Sequence, residues 1–206
     1  MSAIDIFPWD AHFNTGLAKV DEQHRALVDL LNRLASQVAA GASSEALHGI
    51  FDALADYAID HFETEEAIWH QYFAGDPVEA AHQNTHADFG REVVRLRVAL
   101  DGTASHQVAE EALSFLARWL ASHILETDRA MAYAVEAMRQ GMDRPAAMAW
   151  ARERMSGTTR ALIDIILSIY ATLSTNTLRL MRELVEHRRA QADLRRESET
   201  SRALLR

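Results

Sequence analysis

The sequence predicts an all-α fold: an antiparallel, up-and-down four-helix bundle, then a short connector helix and a long C-terminal coiled-coil-like helix. Three observations carry this expectation. Apolar residues recur at helical spacing along nearly the whole chain, and no segment sustains the alternation of a strand. Breakers are few, 8 Gly and 3 Pro in 206 residues, and they mostly fall between the periodic runs. The first four runs are about 20 to 35 residues long with short connections, the sequence form of a bundle.

The elements follow in order. After an irregular arm with Pro8 and Trp9, one face gathers Val20, His24, Leu27, Leu31, Leu34 and Val38, until Gly41 breaks the pattern. Ser43 or Ser44 is a plausible N-cap for a second helix with Leu47, Phe51, Leu54, Ala58, His61, Glu65, Ile68 and Tyr72 on one stripe. Asp76 can cap a third helix, and Pro77 suits its first turn. That helix carries Val78, His82, His86, Phe89, Val93, Leu96 and Leu100. A fourth, over about 105–140, has the stripe Val108, Ala112, Phe115, Trp119, His123 and then Thr127 or Asp128. A short helix is expected over about 144–155.

From Thr158 onward nothing interrupts a helix, whose seam reads Leu162, Ile166, Ile169, Leu173, Asn176 or Thr177, Leu180 and Leu184. It then turns polar through His187, Gln191, Leu194, Ser198 and Leu205. Spacing near 3.5 residues with Asn176 at the seam is the pattern of a coiled coil, and a homodimer through this helix is expected. Charge shifts as well: residues 1–155 hold 12 Lys/Arg against 24 Asp/Glu, and residues 156–206 hold 9 against 6. The expected division is a bundle over 1–140, a connector over 141–157 and the long helix over 158–206.

Composition narrows the function. A formal charge of −9 argues against nucleic acid as a partner. The absence of cysteine excludes disulfides and thiolate-bound metals. The most apolar stretch of the last helix, "ALIDIILSIYATLS", is too short and too interrupted by Asp164 to cross a bilayer, and "MSAIDIFPWD" does not read as a signal peptide. No membrane association and a cytoplasmic location are expected.

The inward stripes pose a problem of their own. Each of the four helices places histidine on its apolar face: His24; His61 with Glu65; His82 with His86; and His123 followed by acids. Side chains four apart lie about 40° apart around a helix, so both pairs can reach one point. One buried histidine is ordinarily a satisfied core residue. Five, with an inward Glu, would each cost several kcal/mol if left unpaired, and a shared cation removes that cost. Nitrogen and oxygen donors without sulfur suit iron, manganese or zinc, and their number exceeds what one tetrahedral zinc needs. Two octahedral-type ions fit best.

"DEQHRALVDLLN", "HFETEE", "HQNTHADF" and "WLASHILETD", with "IFPWDAHFNTG" ahead of them, resemble the hemerythrin family, and specifically bacteriohemerythrins, over about residues 5–135. The resemblance implies two iron ions, oxo- or hydroxo-bridged. It assigns His82, His86 and His123 to one iron, His24 and His61 to the other, and Glu65 and Asp128 as bridges. The second iron would keep an open position for O2. His123 and Asp128 are five residues apart, about 140° on an ideal helix, whereas Glu126 is only about 60° from His123. Regular geometry favours Glu126, the resemblance favours Asp128, and the two agree only if a π-type widening lies between 123 and 128. Met131 stands where the family pattern leads one to expect tyrosine, with Tyr133 two residues later. Phe62, Trp69, Phe89 and Trp119 are candidate walls of an O2 pocket, and Glu66 is a candidate neighbour of the site or its entrance. His12, His48, His70, His106 and His187 are expected to stay outside it.

Function then lies between three readings. An O2- or redox-sensing module would pass its state through the connector into the long helix, toward an output domain not present in this chain. A storage or transport protein would need the bundle alone. An oxidase or peroxidase is disfavoured, because the ligand set is histidine-rich rather than carboxylate-rich; the expectation is a non-enzyme.

Overall fold

The computed structural model describes residues 6–102 and 105–204, without every side chain of the last helix. Seven α-helices are present among the described residues: α1 (Ala18–Ala40), α2 (Ser44–Phe73), α3 (Pro77–Ala99), α4 (Ser105–Ser122), α5 (Arg129–Arg139), α6 (Arg144–Arg154) and α7 (Gly157–Leu204). Between α4 and α5 the backbone continues as a π-turn, His123–Asp128, so that 105–139 is one unbroken run. No strand occurs among the described residues.

The ends are set as the sequence implies. Ser43 accepts from the Ala46 amide and Asp76 from Val78, with Pro77 in the first turn of α3. Gly41 closes α1 with φ 68°, a left-handed conformation that glycine adopts without a Cβ penalty. Asp143 caps α6 by accepting from Ala146.

α1 to α4 form the antiparallel bundle. Gln23 of α1 reaches Thr64 and the Asp60 carbonyl of α2. Between α2 and α3, Asp52 pairs with Arg97 and Glu66 with His86, so residue numbers fall along one helix as they rise along the other. α4 packs back on α1 and closes the ring. The core runs through Leu27, Leu31, Leu34, Phe51, Leu54, Leu96 and Leu113, all buried.

The α4 stripe differs from expectation, and on α7 a residue outside the expected seam enters the core. On α4 the buried face is Ala109, Ala112, Leu113, Leu116, Ala117 and Leu120, while Phe115 and Trp119 are half-buried at its edge. Alanines carry this face because α4 packs against both neighbouring helices and α7. On α7 the expected seam is solvent-facing at Leu162 and Ile169, 54% and 51% exposed, and Ile163 is the residue that enters the bundle core, 4% exposed. α7 therefore packs on α4 and α1 through its first turns, with Ile166 and Leu167 partly buried beside Ile163. The side chains of His106, Leu173 and Ser198, and all of Leu205, lie outside what is described. Among the described residues no helix is long and apolar enough to cross a membrane.

Candidate metal centre

The seven residues singled out by spacing and resemblance converge at mid-bundle. His24, His61, Glu65, His82, His86, His123 and Asp128 are all buried, although they come from three helices and the π-turn. Their donor atoms form two groups, each within 4.8 Å: Glu65 with His82, His86 and His123, and Glu65 with His24, His61 and Asp128.

The two carboxylates divide their oxygens between these groups. Glu65 Oε1 lies 3.7 Å from His24 Nε2 and 3.4 Å from His61 Nε2. Its Oε2 lies 3.4, 3.3 and 3.1 Å from the Nε2 atoms of His82, His86 and His123. Asp128 Oδ2 is 3.1 Å from His24 Nε2, and its Oδ1 is 3.2 Å from His123 Nε2. Each carboxylate spans both groups, as a bridging ligand must.

The π-turn makes this possible. It widens the helix over 123–128 and turns His123 and Asp128 to one side, where a regular α-helix would splay them. Glu126 faces outward: it accepts from Ser122 Oγ at 2.7 Å and pairs with Arg160 of α7 at 2.8 Å. The i+3 acid favoured by regular helix geometry is thus not at the centre.

Polar satisfaction tests whether a cation fits. Among the described residues, His24, His61 and His82 Nε2, Glu65 Oε1 and both Asp128 oxygens are buried without a hydrogen-bond partner, despite their closeness. Such atoms cost several kcal/mol each unless a further ligand satisfies them. The electrostatics agree. Burial pushes His61 down to about 3 and His123 down to about 4, which keeps both imidazoles neutral and able to ligate. Burial also disfavours charge on His24, but the Asp128 and Glu65 carboxylates outweigh it and raise His24 to about 9. Glu65 is fully buried, yet the surrounding histidines hold it well below the usual carboxylate range. Burial and the charge of Glu65 push Asp128 well above that range. The protein groups alone thus favour one anion of the two, and cations at the two donor groups would stabilise both. A sulfur-free set of five imidazoles and two carboxylates fits iron.

The surrounding aromatic rings are arranged around these ligands. Phe62 stacks on His86 at 3.8 Å, and Trp119 on His123 at 4.2 Å. Phe89 packs against both, 5.4 Å from Phe62 and 4.2 Å from Trp119. These three line an apolar cavity of about 20 Å³ with Leu27, Leu31, Leu54, Ala58, Leu116 and Leu120, room for one water-sized molecule. Trp69 lies elsewhere, 5.3 Å from His82 in the apolar cluster toward α5. The aliphatic walls were missed in the sequence, although Leu27 and Ala58 sit one turn from His24 and His61. Met131 is fully buried in that second cluster, and Tyr133 packs on Trp150, away from the centre. His70 is exposed and pairs with Glu79. His12 and His48 pair with Asp10 and Asp101, also outside the centre.

Comparison with known proteins agrees. Residues 15–135 match the hemerythrin HHE cation binding domain. A bacteriohemerythrin of Stenotrophomonas maltophilia is 34% identical over 130 residues, 63% of this chain and 81% of the relative. One from Pseudomonas aeruginosa is 33% identical over 134 residues, 65% and 82% of the two chains. A hemerythrin-like protein of Naegleria gruberi is 28% identical over 123 residues, 59% and 87% of the two. With this match over α1 to α5, and a donor set that suits two cations, the chain belongs to the hemerythrin family, which implies a non-haem di-iron site.

Proposed function

We propose that this chain is an oxygen- and redox-sensing module whose di-iron bundle binds O2 and passes its state into α7. The observation that carries the reading is the double role of the π-turn. Its inner side presents His123 and Asp128 to the centre, and its outer side holds α7 through the Glu126–Arg160 pair.

In this reading His82, His86 and His123 would hold one iron, His24 and His61 would hold the other, and Glu65 and Asp128 would be shared between them. Iron held there would supply redox chemistry and the affinity for O2. The protein does the rest. Phe62, Phe89 and Trp119 keep the cavity beside the histidines dry, which limits proton delivery to the ligand. The centre binds rather than turns over, because its donors are mostly neutral imidazoles.

A π-turn is rare and persists only where the surroundings hold it. A change in the pull on Asp128 or His123 alters that hold and moves Glu126, and with it Arg160. This route is direct, and α6 and its flanking turns are not needed as the relay. The exposed seam of α7 (Leu162, Ile165, Ile169, Leu180 and Leu184) offers a surface for a second copy of the chain, through which an output domain would be driven.

A second reading, O2 storage or transport, is favoured by the relatives, since the family match covers residues 15–135 and those named bacteriohemerythrin match 63–65% of this chain. The experiment compares the full chain with Arg160→Ala. Each is reduced without air and then exposed to O2, with optical spectrum and sedimentation followed together. Sensing requires an O2-dependent change in association that Arg160→Ala abolishes while the spectrum stays unchanged. Reversible O2 binding with no change in association in either protein would establish storage instead.

A further inference from the structure

We propose that Glu66 is a positioning residue of the metal centre, which fixes the His86 imidazole from behind and strengthens it as a donor to one of the two iron positions. The inference rests on the di-iron reading above.

The geometry sets His86 apart. Its Nε2 faces the centre, and its Nδ1 lies 2.9 Å from Glu66 Oε1. Among the described residues, the outer nitrogens of His24, His61, His82 and His123 are buried without a hydrogen-bond partner. Of the five inward histidines, His86 is therefore the one with a carboxylate at its back. Phe62 lies against the same ring, nearly parallel at 10°. The ring is held at its face and at its edge.

The chemistry follows from the donor and acceptor inventory. A neutral imidazole carries one N–H, and a carboxylate accepts but does not donate. Glu66 therefore keeps the proton on Nδ1 and leaves the Nε2 lone pair for a metal. An anion at that N–H also makes the ring a stronger donor, as outer carboxylates do for metal-bound histidine generally. A stronger donor favours the ferric over the ferrous ion. His86 belongs to the three-histidine group, so this bias falls on one iron position and not on the pair His24 and His61. Glu65 and Glu66 thus divide the work: the first reaches into the centre, and the second grips a ligand of the facing helix from outside.

Glu66 is 34% exposed at its side chain. An ordinary half-exposed ion pair would contribute little and could be removed without consequence. The experiment separates the two cases, using full-length wild type, Glu66→Gln, Glu66→Ala and the control Glu63→Gln, an exposed acid of the same helix. Iron per chain, iron release to a chelator, midpoint potential and metal-free melting temperature are read for each. Glu66→Gln is expected to keep two irons and raise one midpoint potential, by about 59 mV for each tenfold loss of ferric preference. Glu66→Ala is expected to release one of its two irons about 10- to 100-fold faster. Glu63→Gln should match wild type. Potentials and release rates unchanged in both Glu66 variants would overturn the proposal. So would a lowered metal-free melting temperature with potentials unchanged, which marks a merely structural role. A wild type that does not bind two irons would instead overturn the di-iron reading itself.

Discussion

Ile163 and Leu162 are adjacent on α7, yet one is 4% and the other 54% exposed. Replacing each by alanine asks which face of α7 holds it to the bundle. Ile163→Ala removes three buried carbons, and at about 0.8 kcal/mol each the transfer loss is about 2.4 kcal/mol. Ile163 lines a surface groove with Phe13, Leu125, Leu162 and Ile166, so water can enter the space left behind. The added cavity cost is then small, and the total is about 2–3 kcal/mol, the low end for isoleucine truncation. For a chain of this length that lowers the melting temperature by about 5–10 °C. Leu162→Ala gives up roughly half as much contact, about 1 kcal/mol or less, and 2–4 °C at most. Melting followed by circular dichroism on metal-free full chain, at two concentrations tenfold apart, supplies the assay. A Leu162 effect that grows with protein concentration reports pairing of two chains, and an Ile163 effect should not depend on it. Equal shifts, or a larger one for Leu162→Ala, would refute the docking of α7 through Ile163.

Other outcomes follow from the same geometry. Asp128→Ala should lose iron, while Glu126→Ala keeps it and gives up only its contacts with Ser122 and Arg160; iron analysis of the two proteins checks this. Truncation after residue 156 removes Ile163 from the core and should lower the melting temperature of the bundle, where an independent α7 would leave it unchanged. The metal-free protein should be most stable near pH 6.5. Below it, unfolding lets His61 and His123 take up protons that the fold denies them, so stability falls toward pH 4. Above it, His24 loses on the way to pH 9 the stabilisation its raised value gives. A melting-temperature profile from pH 4 to 9 tests both arms.

Much of this was legible because helix periodicity and ligand spacing reinforce each other. Pairs such as His61 with Glu65 and His82 with His86 are local, and their geometry is fixed once the segment is helical. The π-turn was legible only through the resemblance, which assigns Asp128 where regular geometry favours Glu126; His123 and Asp128 cannot share a side without a widening. What could not be read was tertiary. Ile163 and Leu162 are interchangeable in hydrophobicity, and only the approach of α4 and α1 decides between them. Phe115 and Trp119 are larger than Ala117 and Leu120 and bury more area when enclosed, yet close helix packing prefers the smaller face. The Glu66–His86 contact depends on the register of α2 against α3, which no spacing within one helix encodes.

The attachment of α7 at one end has a mechanical consequence. Its first turns are anchored, and from Ile163 to Leu204 the helix runs about 60 Å. Such a rod is a lever with its fulcrum beside the π-turn. A tilt of about 5° at the base, a shift of a few tenths of an ångström per turn, carries the tip about 5 Å sideways. A displacement too small to notice among the histidines becomes, at the far end, the width of a helical turn.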